Sequence, residues 1–218
     1  MRSSQKIITA MKKIFFLLFS IITITTNAQQ FRYGGFIAPQ ISFWSVEGDL
    51  YANNGNNFGY QIGLMVDQTI GSKERFSISS GLTWNSAPGG FVSASLQNNT
   101  GKEWHWKVNT LDLPISVRLR SDQLNKTILY AQYGVNIGFT ISTSVENEMG
   151  NDAGGGFEYE KINPSLAMGF GIENELKNDM TLLIGAYFIN GVKNMIIDDA
   201  NDDNMYPQQI GLKGGILF

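Results

Sequence analysis

The sequence predicts an all-β fold: an eight-stranded antiparallel up-and-down transmembrane β-barrel with four long outer loops and three short periplasmic turns. Three observations carry this expectation. Hydrophobicity alternates with period two along eight segments, and no stretch shows a convincing helical period. Most of those segments run 12–15 residues, against about 5–6 for an ordinary strand, and a tilted strand needs about 9–11 to cross the hydrocarbon. Finally, the connections alternate between short and long, as they do where turns face one side of a membrane and loops the other.

The segments are 31–44, 57–69, 75–86, 104–120, 126–141, 161–175, 180–191 and 206–218. The first opens near Tyr33 and ends on Trp44; a long loop, 45–56, follows. The second reaches Asp67 and turns tightly at Gly71-Ser72-Lys73-Glu74 into the third, which has Phe76 at its start and Trp84 near its end. After loop 87–103 the fourth opens on Trp104 and Trp106 and closes at the short turn Ser121–Asn125. The fifth, TILYAQYGVNIGFTI, puts Leu129, Tyr133, Val135, Ile137, Phe139 and Ile141 on one face, and Gln132, Gly134, Asn136, Gly138 and Thr140 on the other. Loop 142–160 leads to the sixth, where Ile162, Leu166, Met168, Phe170 and Ile172 alternate with Asn163, Ser165, Ala167, Gly169, Gly171 and Glu173. The short turn Leu176–Asp179 precedes the seventh, and loop 192–205 the eighth. That last segment ends IGLKGGILF, with Ile210, Leu212, Ile216 and Phe218 in one phase and Lys213 in the other.

In a membrane barrel the apolar face is the outer wall and the polar face fills the lumen. Closure leaves no backbone N–H or C=O unpaired in lipid. The lumen-facing set is then Gln40, Gln61, Asp67, Arg75, Asp112, Arg118, Gln132, Asn136, Asn163, Glu173 and Lys213. Eight strands make a barrel that side chains can fill, so these residues are expected to form an internally satisfied plug, with a narrow polar pore as the alternative. The tryptophans Trp44, Trp84, Trp104 and Trp106 are expected in an outer aromatic girdle, and Tyr33, Phe76, Tyr130 and Phe218 in a periplasmic one. The eighth strand should pair with the first near Tyr33–Phe43.

The N-terminus sets the compartment. Met11-Lys12-Lys13, the twelve apolar-core residues Ile14–Thr25 and the small residue Ala28 make a secretory signal peptide over residues 1–28. Met11 begins a complete signal by itself and is the alternative start. The apolar run is too short for a spanning helix, which needs about 20 residues. The single barrel domain is then 29–218, exported to the bacterial outer membrane. Residues 1–28 hold four basic side chains and no acid, so the mature chain carries 12 basic and 19 acidic residues. With no basic patch, nucleic acid is not an expected partner. The chain has no Cys, which excludes disulfides and thiolate chemistry.

Little here points to chemistry. No catalytic, cofactor-binding or metal-binding residue is assigned, and no cofactor is expected. The lone histidine, His105 in KEWHWK, lies at the outer rim after Ser93 and Ser95. A lipid-modifying enzyme would need a nucleophile, a base and an orienting group together, and no spacing sets them; the bland reading is an interfacial aromatic patch. The long loops are acidic, and DDANDDN at Asp198–Asn204 lacks the loop glycine and terminal Glu of an EF-hand. Solvated loop is the reading, with weak divalent-cation bridging to anionic surface lipid as the alternative. GNDAGGG at Gly150–Gly156 lacks the Lys-Ser/Thr of a phosphate loop.

The motifs NAQQF after the apolar core, TLDLPISVRL with a proline in a strand, FINGVKNM, and the closing IGLKGGILF resemble the PorT-like outer-membrane β-barrel family of Bacteroidota-type bacteria. The matching residues are Leu111-Asp112-Leu113-Pro114-Ile115 and the Gly-x-x-Asn turn Gly191-Val192-Lys193-Asn194. The resemblance implies an eight-stranded barrel and, for one branch of the family, a part in secretion of other proteins. A terminal aromatic such as Phe218 resembles the signal read by barrel-assembly machinery. The expectation is therefore a small non-enzymatic outer-membrane barrel with a structural, adhesion or secretion-assembly role through its acidic loops. Its partners would be outer-membrane lipid and lipopolysaccharide, the assembly machinery, and other envelope or secretion proteins. A passive small-solute channel and a lipid-modifying enzyme centred on His105 are the alternatives.

Overall fold

The structure, a computed structural model, describes residues 31–48, 51–53, 55–71, 75–93, 102–147, 158–197 and 204–218. The expected signal peptide lies outside the described residues. So do most of the acidic loops, including 198–203 and the Gly150–Gly156 stretch.

Every described element is a strand: β1 (Phe31–Glu47), β2 (Tyr51–Asn53), β3 (Asn57–Ile70), β4 (Phe76–Ser93), β5 (Lys102–Arg120), β6 (Thr127–Asn147), β7 (Glu158–Tyr159), β8 (Ile162–Glu175), β9 (Thr181–Gly191), β10 (Ile196–Ile197) and β11 (Asn204–Leu217). The eight long ones pair antiparallel in the circuit β1–β3–β4–β5–β6–β8–β9–β11, and β11 returns to β1 to close an eight-stranded barrel. The closing seam runs from Gly34↔Leu217 to Glu47↔Asn204, where the sequence expected it, and closure leaves no open edge. At its foot Tyr33 N donates to Phe218 O at 3.2 Å and Phe218 N to Tyr33 O at 2.8 Å.

Alternation sets the two faces. On β3, Phe58, Tyr60, Ile62, Leu64 and Val66 point out, with Phe58 74 % exposed, while Gln61, Met65, Asp67 and Thr69 are buried inside. Ile210, Leu212, Ile216 and Phe218 face outward on the closing seam, as expected. A soluble protein could not sustain such a continuous apolar exterior; as a lipid-facing wall it is what the fold requires.

Two segments depart from the sequence reading. β4 continues to Ser93 rather than ending at 86, because Ala87-Pro88-Gly89-Gly90, expected at the start of loop 87–103, stays in register with Val108-Lys107-Trp106-His105. β6 likewise continues to Asn147, pairing with β5 through a register shift at Asn109/Thr110. Both strands thus extend past the ends the periodicity marked. All five prolines lie within strands, at Pro39, Pro88, Pro114, Pro164 and Pro207. A proline has no N–H for the ladder. The β1–β11 pairing accordingly passes from Ile37↔Gly214 to Gln40↔Gly211, and the β4–β5 pairing from Ser80↔Ile115 to Thr83↔Asp112. Ser80 Oγ donates to the Pro114 carbonyl at 2.9 Å. The short connections end on left-handed residues, Asn125 at φ 60° and Asn178 and Asp179 at φ 61° and 59°, where Asn and Asp are tolerated.

Candidate functional site: the barrel lumen

Inward side chains form three layers. The periplasmic layer is ionic. Arg118 Nη1 donates to Asp67 Oδ2, and to Glu173 Oε1 at 3.2 Å. Arg120 Nε donates to Glu173 Oε2 at 3.0 Å, its Nη2 to Asp67 Oδ2 at 2.9 Å and its Nη1 to Ser77 Oγ at 3.0 Å. Arg32 reaches Glu173 Oε2 at 3.0 Å and Asp67 Oδ2 at 3.4 Å. Both carboxylates are fully buried. β1, β3, β5 and β8 each contribute at their periplasmic ends, so the pairs tie across the lumen rather than along one hairpin. Planar guanidinium forks suit this, since each presents several donors at once.

The middle layer is a neutral amide network around one acid. Gln40 Oε1 accepts from Gln61 Nε2 at 2.9 Å and from the Tyr187 hydroxyl at 2.8 Å, while its Nε2 donates to Asn85 Oδ1 at 2.9 Å. Gln61 Nε2 also reaches Gln209 Oε1 at 3.2 Å. Asp112 accepts from Asn85 Nδ2 at 3.1 Å and from Thr110 Oγ1 at 2.5 Å. Buried polar groups of this kind are costly unless paired.

The outer layer is apolar. Trp44, Trp106, Val108, Met195 and Met205 form one buried cluster, with Val46 and Val145 packed on it, and the two indoles lie 5.9 Å apart. Met195 arrives on the segment after β9. Its N donates to Met205 O and its O accepts from Glu160 N, both at 3.0 Å. Asn194 Oδ1 accepts from Met205 N at 2.9 Å, and Lys193 Nζ pairs with Glu160 at 2.8 Å. The 192–197 segment is thereby strapped across the outer end of the lumen.

Of the eleven residues expected in the lumen, ten are there. Arg75 is not: it precedes β4, is 46 % exposed, and makes a bidentate pair with Asp122 at 2.6 and 2.7 Å on the turn-end rim. Two members of the ionic layer, Arg32 and Arg120, were missed. Their signal was parity, since Arg32 is in phase with Gln40 and Arg120 with Arg118. The girdle assignment also needs correction. Trp44, Trp106 and Tyr130 turn inward, at 4, 2 and 6 % exposure, because their even numbers put them in the lumen phase of β1, β5 and β6. Tyr33, Phe76 and Phe218 do lie on the outside, and Tyr33 and Phe218 meet at 6.1 Å. The side chain of Trp104 lies outside the described residues. His105 sits on the outer wall, opposite Gly90 and Glu146; Ser95 lies outside the described residues. Among the described residues no group of His, Asp and Glu is placed to hold a metal ion.

Lumen aromatics lie against glycines of strands one or two places away round the barrel. A Cβ on Gly185 would strike the Tyr130 hydroxyl, and one on Gly211 would meet the Tyr187 hydroxyl at 2.7 Å. Small and large residues thus interdigitate across the barrel, as tight interiors require. Among the described residues there are cavities of about 60 Å³ beside Lys213 and about 40 Å³ beneath Met195. Each has room for a few waters.

The family described as outer membrane protein β-barrel domain matches residues 27–216. No curated protein matches the chain. Among solved structures, Neisserial surface protein A aligns at 10 % identity over 88 % of this chain and 98 % of its own, with a TM-score of 0.49. OprG from Pseudomonas aeruginosa aligns at 12 % identity over 86 % and 95 %, with a TM-score of 0.47. Ail of Yersinia pestis, in complex with the heparin analogue sucrose octasulfate, aligns at 15 % identity over 87 % and 99 %, with a TM-score of 0.44.

Proposed function

The chain belongs to the outer membrane protein β-barrel domain family, and from that premise we propose that it is a non-conducting, non-enzymatic barrel of the bacterial outer membrane that acts through its outer surface. The single observation behind this reading is the filled lumen. An ionic layer stands below, an amide layer between and a Trp/Met layer above, the last held by the 192–197 strap. A conduit would need a continuous water column, whereas the cavities beside Lys213 and beneath Met195 are about 60 and 40 Å³. What remains available to partners is the rim and the acidic loops, which suits a structural, adhesion or secretion-assembly role. The narrower PorT-like kinship, carried by Leu111–Ile115 and Gly191–Asn194, belongs to the same reading, as does export by cleavage after Ala28. The direct test is conductance of the purified barrel in planar bilayers. No steps above background are expected; regular, reproducible steps would replace this reading with a channel.

Assembly machinery and lipid are the partners proposed for the closing seam. Phe218 is 52 % exposed at the foot of that seam and packs on Tyr33, so its ring is available to be read before closure is complete. Deleting Phe218 is expected to lower the fraction of heat-modifiable barrel in outer-membrane fractions several-fold. Equal insertion of the truncated chain would remove the aromatic from that role.

A further inference from the structure

The described lumen holds four cationic side chains, Arg32, Arg118, Arg120 and Lys213, against three carboxylates, Asp67, Asp112 and Glu173. Three of the cations are paired. Lys213 is not: its ammonium faces the rings of Phe36 at 4.4 Å and Tyr187 at 5.6 Å and has no ion pair among the described residues. It lines the cavity of about 60 Å³. Its cross-strand neighbour is Gly185, which helps leave that space.

One more donor lines the same cavity without an acceptor. Tyr130 is 6 % exposed, its hydroxyl has no hydrogen-bond partner among the described residues, and it lies against Gly185, the cross-strand neighbour of Lys213. Arg118 also borders the space but is committed to Asp67, Glu173 and Gln132. Asp112 is the one carboxylate on the wall, and both its oxygens are engaged by Asn85 and Thr110. An ammonium and a phenol therefore border one space with no acceptor of their own. Leaving a buried charge uncompensated is costly, and a small anion would satisfy both donors at once.

We propose that this cavity is an internal binding site for one halide-sized monovalent inorganic anion, held by Lys213 and Tyr130. The site goes beyond the surface role above and does not depend on it, since a closed lumen exchanges the ion through slow opening of either end. Two measurements on the full refolded barrel test it together. Crystals grown in sodium bromide are expected to give an anomalous peak inside the cavity. The thermal midpoint of the heat-modifiability shift is expected to rise with sodium chloride but not with sodium gluconate at equal ionic strength. Lys213→Met should abolish the chloride-specific rise; with its lone charge removed, this variant has every reason to fold. Tyr130→Phe keeps the ring over Gly185 and removes only the hydroxyl. It should raise the half-saturating chloride concentration roughly tenfold, as loss of one hydrogen bond to a charged group does. A cavity holding water alone in bromide overturns the proposal, and so does a chloride response that persists unchanged in Lys213→Met.

Discussion

Glu173→Ala is expected to destabilise the barrel by about 3–5 kcal/mol, the usual cost of removing one partner from a buried ion-pair network. Glu173 accepts from Arg32, Arg118 and Arg120. Its loss leaves three guanidinium groups sharing the single carboxylate of Asp67, two of them almost fully buried at 1 and 5 % side-chain exposure. The measurement is the denaturant midpoint of the refolded barrel, followed by gel mobility of unheated samples. Asp67→Ala should behave alike, because it accepts from the same three arginines. The contrast is Arg75→Ala. That pair is exposed on both sides, at 46 and 78 %, and exposed pairs contribute about 0–1 kcal/mol. Should Glu173→Ala cost no more than Arg75→Ala, the ionic layer would be a solvated cluster rather than a plug.

The parity of the sequence carried most of the architecture. Once Ile210, Leu212 and Ile216 are assigned to lipid, Lys213 must turn inward, and both follow from a period of two alone. The same rule places Gln40, Asp67, Asp112 and Glu173 in one lumen although they come from four strands distant in the chain. Where the reading failed, another signal had been allowed to outrank parity. Trp44, Trp106 and Tyr130 gather at strand ends as girdle aromatics do, yet their phase places them inside. Arg75 has the phase of Ser77 and Ser79 but stands just before the first paired residue of β4, where the pleat no longer dictates direction. Pro88-Gly89-Gly90 look like a breaker, but pairing with His105–Lys107 holds them in the strand. No sequence signal could have supplied the strap, since the approach of Met195 to Trp44 and Trp106 depends on the path of a loop. Nor could periodicity show that Lys213 lacks an acid partner, because pairing across a lumen depends on barrel stagger as well as on phase.

Trp106→Ala is the second change expected to have a large effect, about 3–5 kcal/mol by the usual scale for truncating a buried large aromatic. The ring is 2 % exposed, lies 5.9 Å from Trp44 and shares its cluster with Met195 and Met205. Truncation removes the wall against which the strap packs. What still holds the strap includes two backbone hydrogen bonds at Met195, one from Met205 to Asn194, one from Val192 to Pro164, the two-residue pairing of β10 with β7, and the exposed Lys193–Glu160 pair. The strap should therefore loosen before the barrel does. The expected signature is a proteolytic cut within 192–197 in membranes while the unheated barrel still migrates as a folded species. Lys193→Ala, which removes only a surface ion pair, should leave both properties nearly unchanged. Trp106→Phe separates volume from shape: it keeps an aromatic against Trp44 and should recover most of the loss. Should Trp106→Ala unfold the barrel outright with no intermediate sensitive at the strap, the outer layer would be part of the cooperative core. The barrel would then have no end that opens independently, and the ion proposed beside Lys213 would exchange only through the ionic layer.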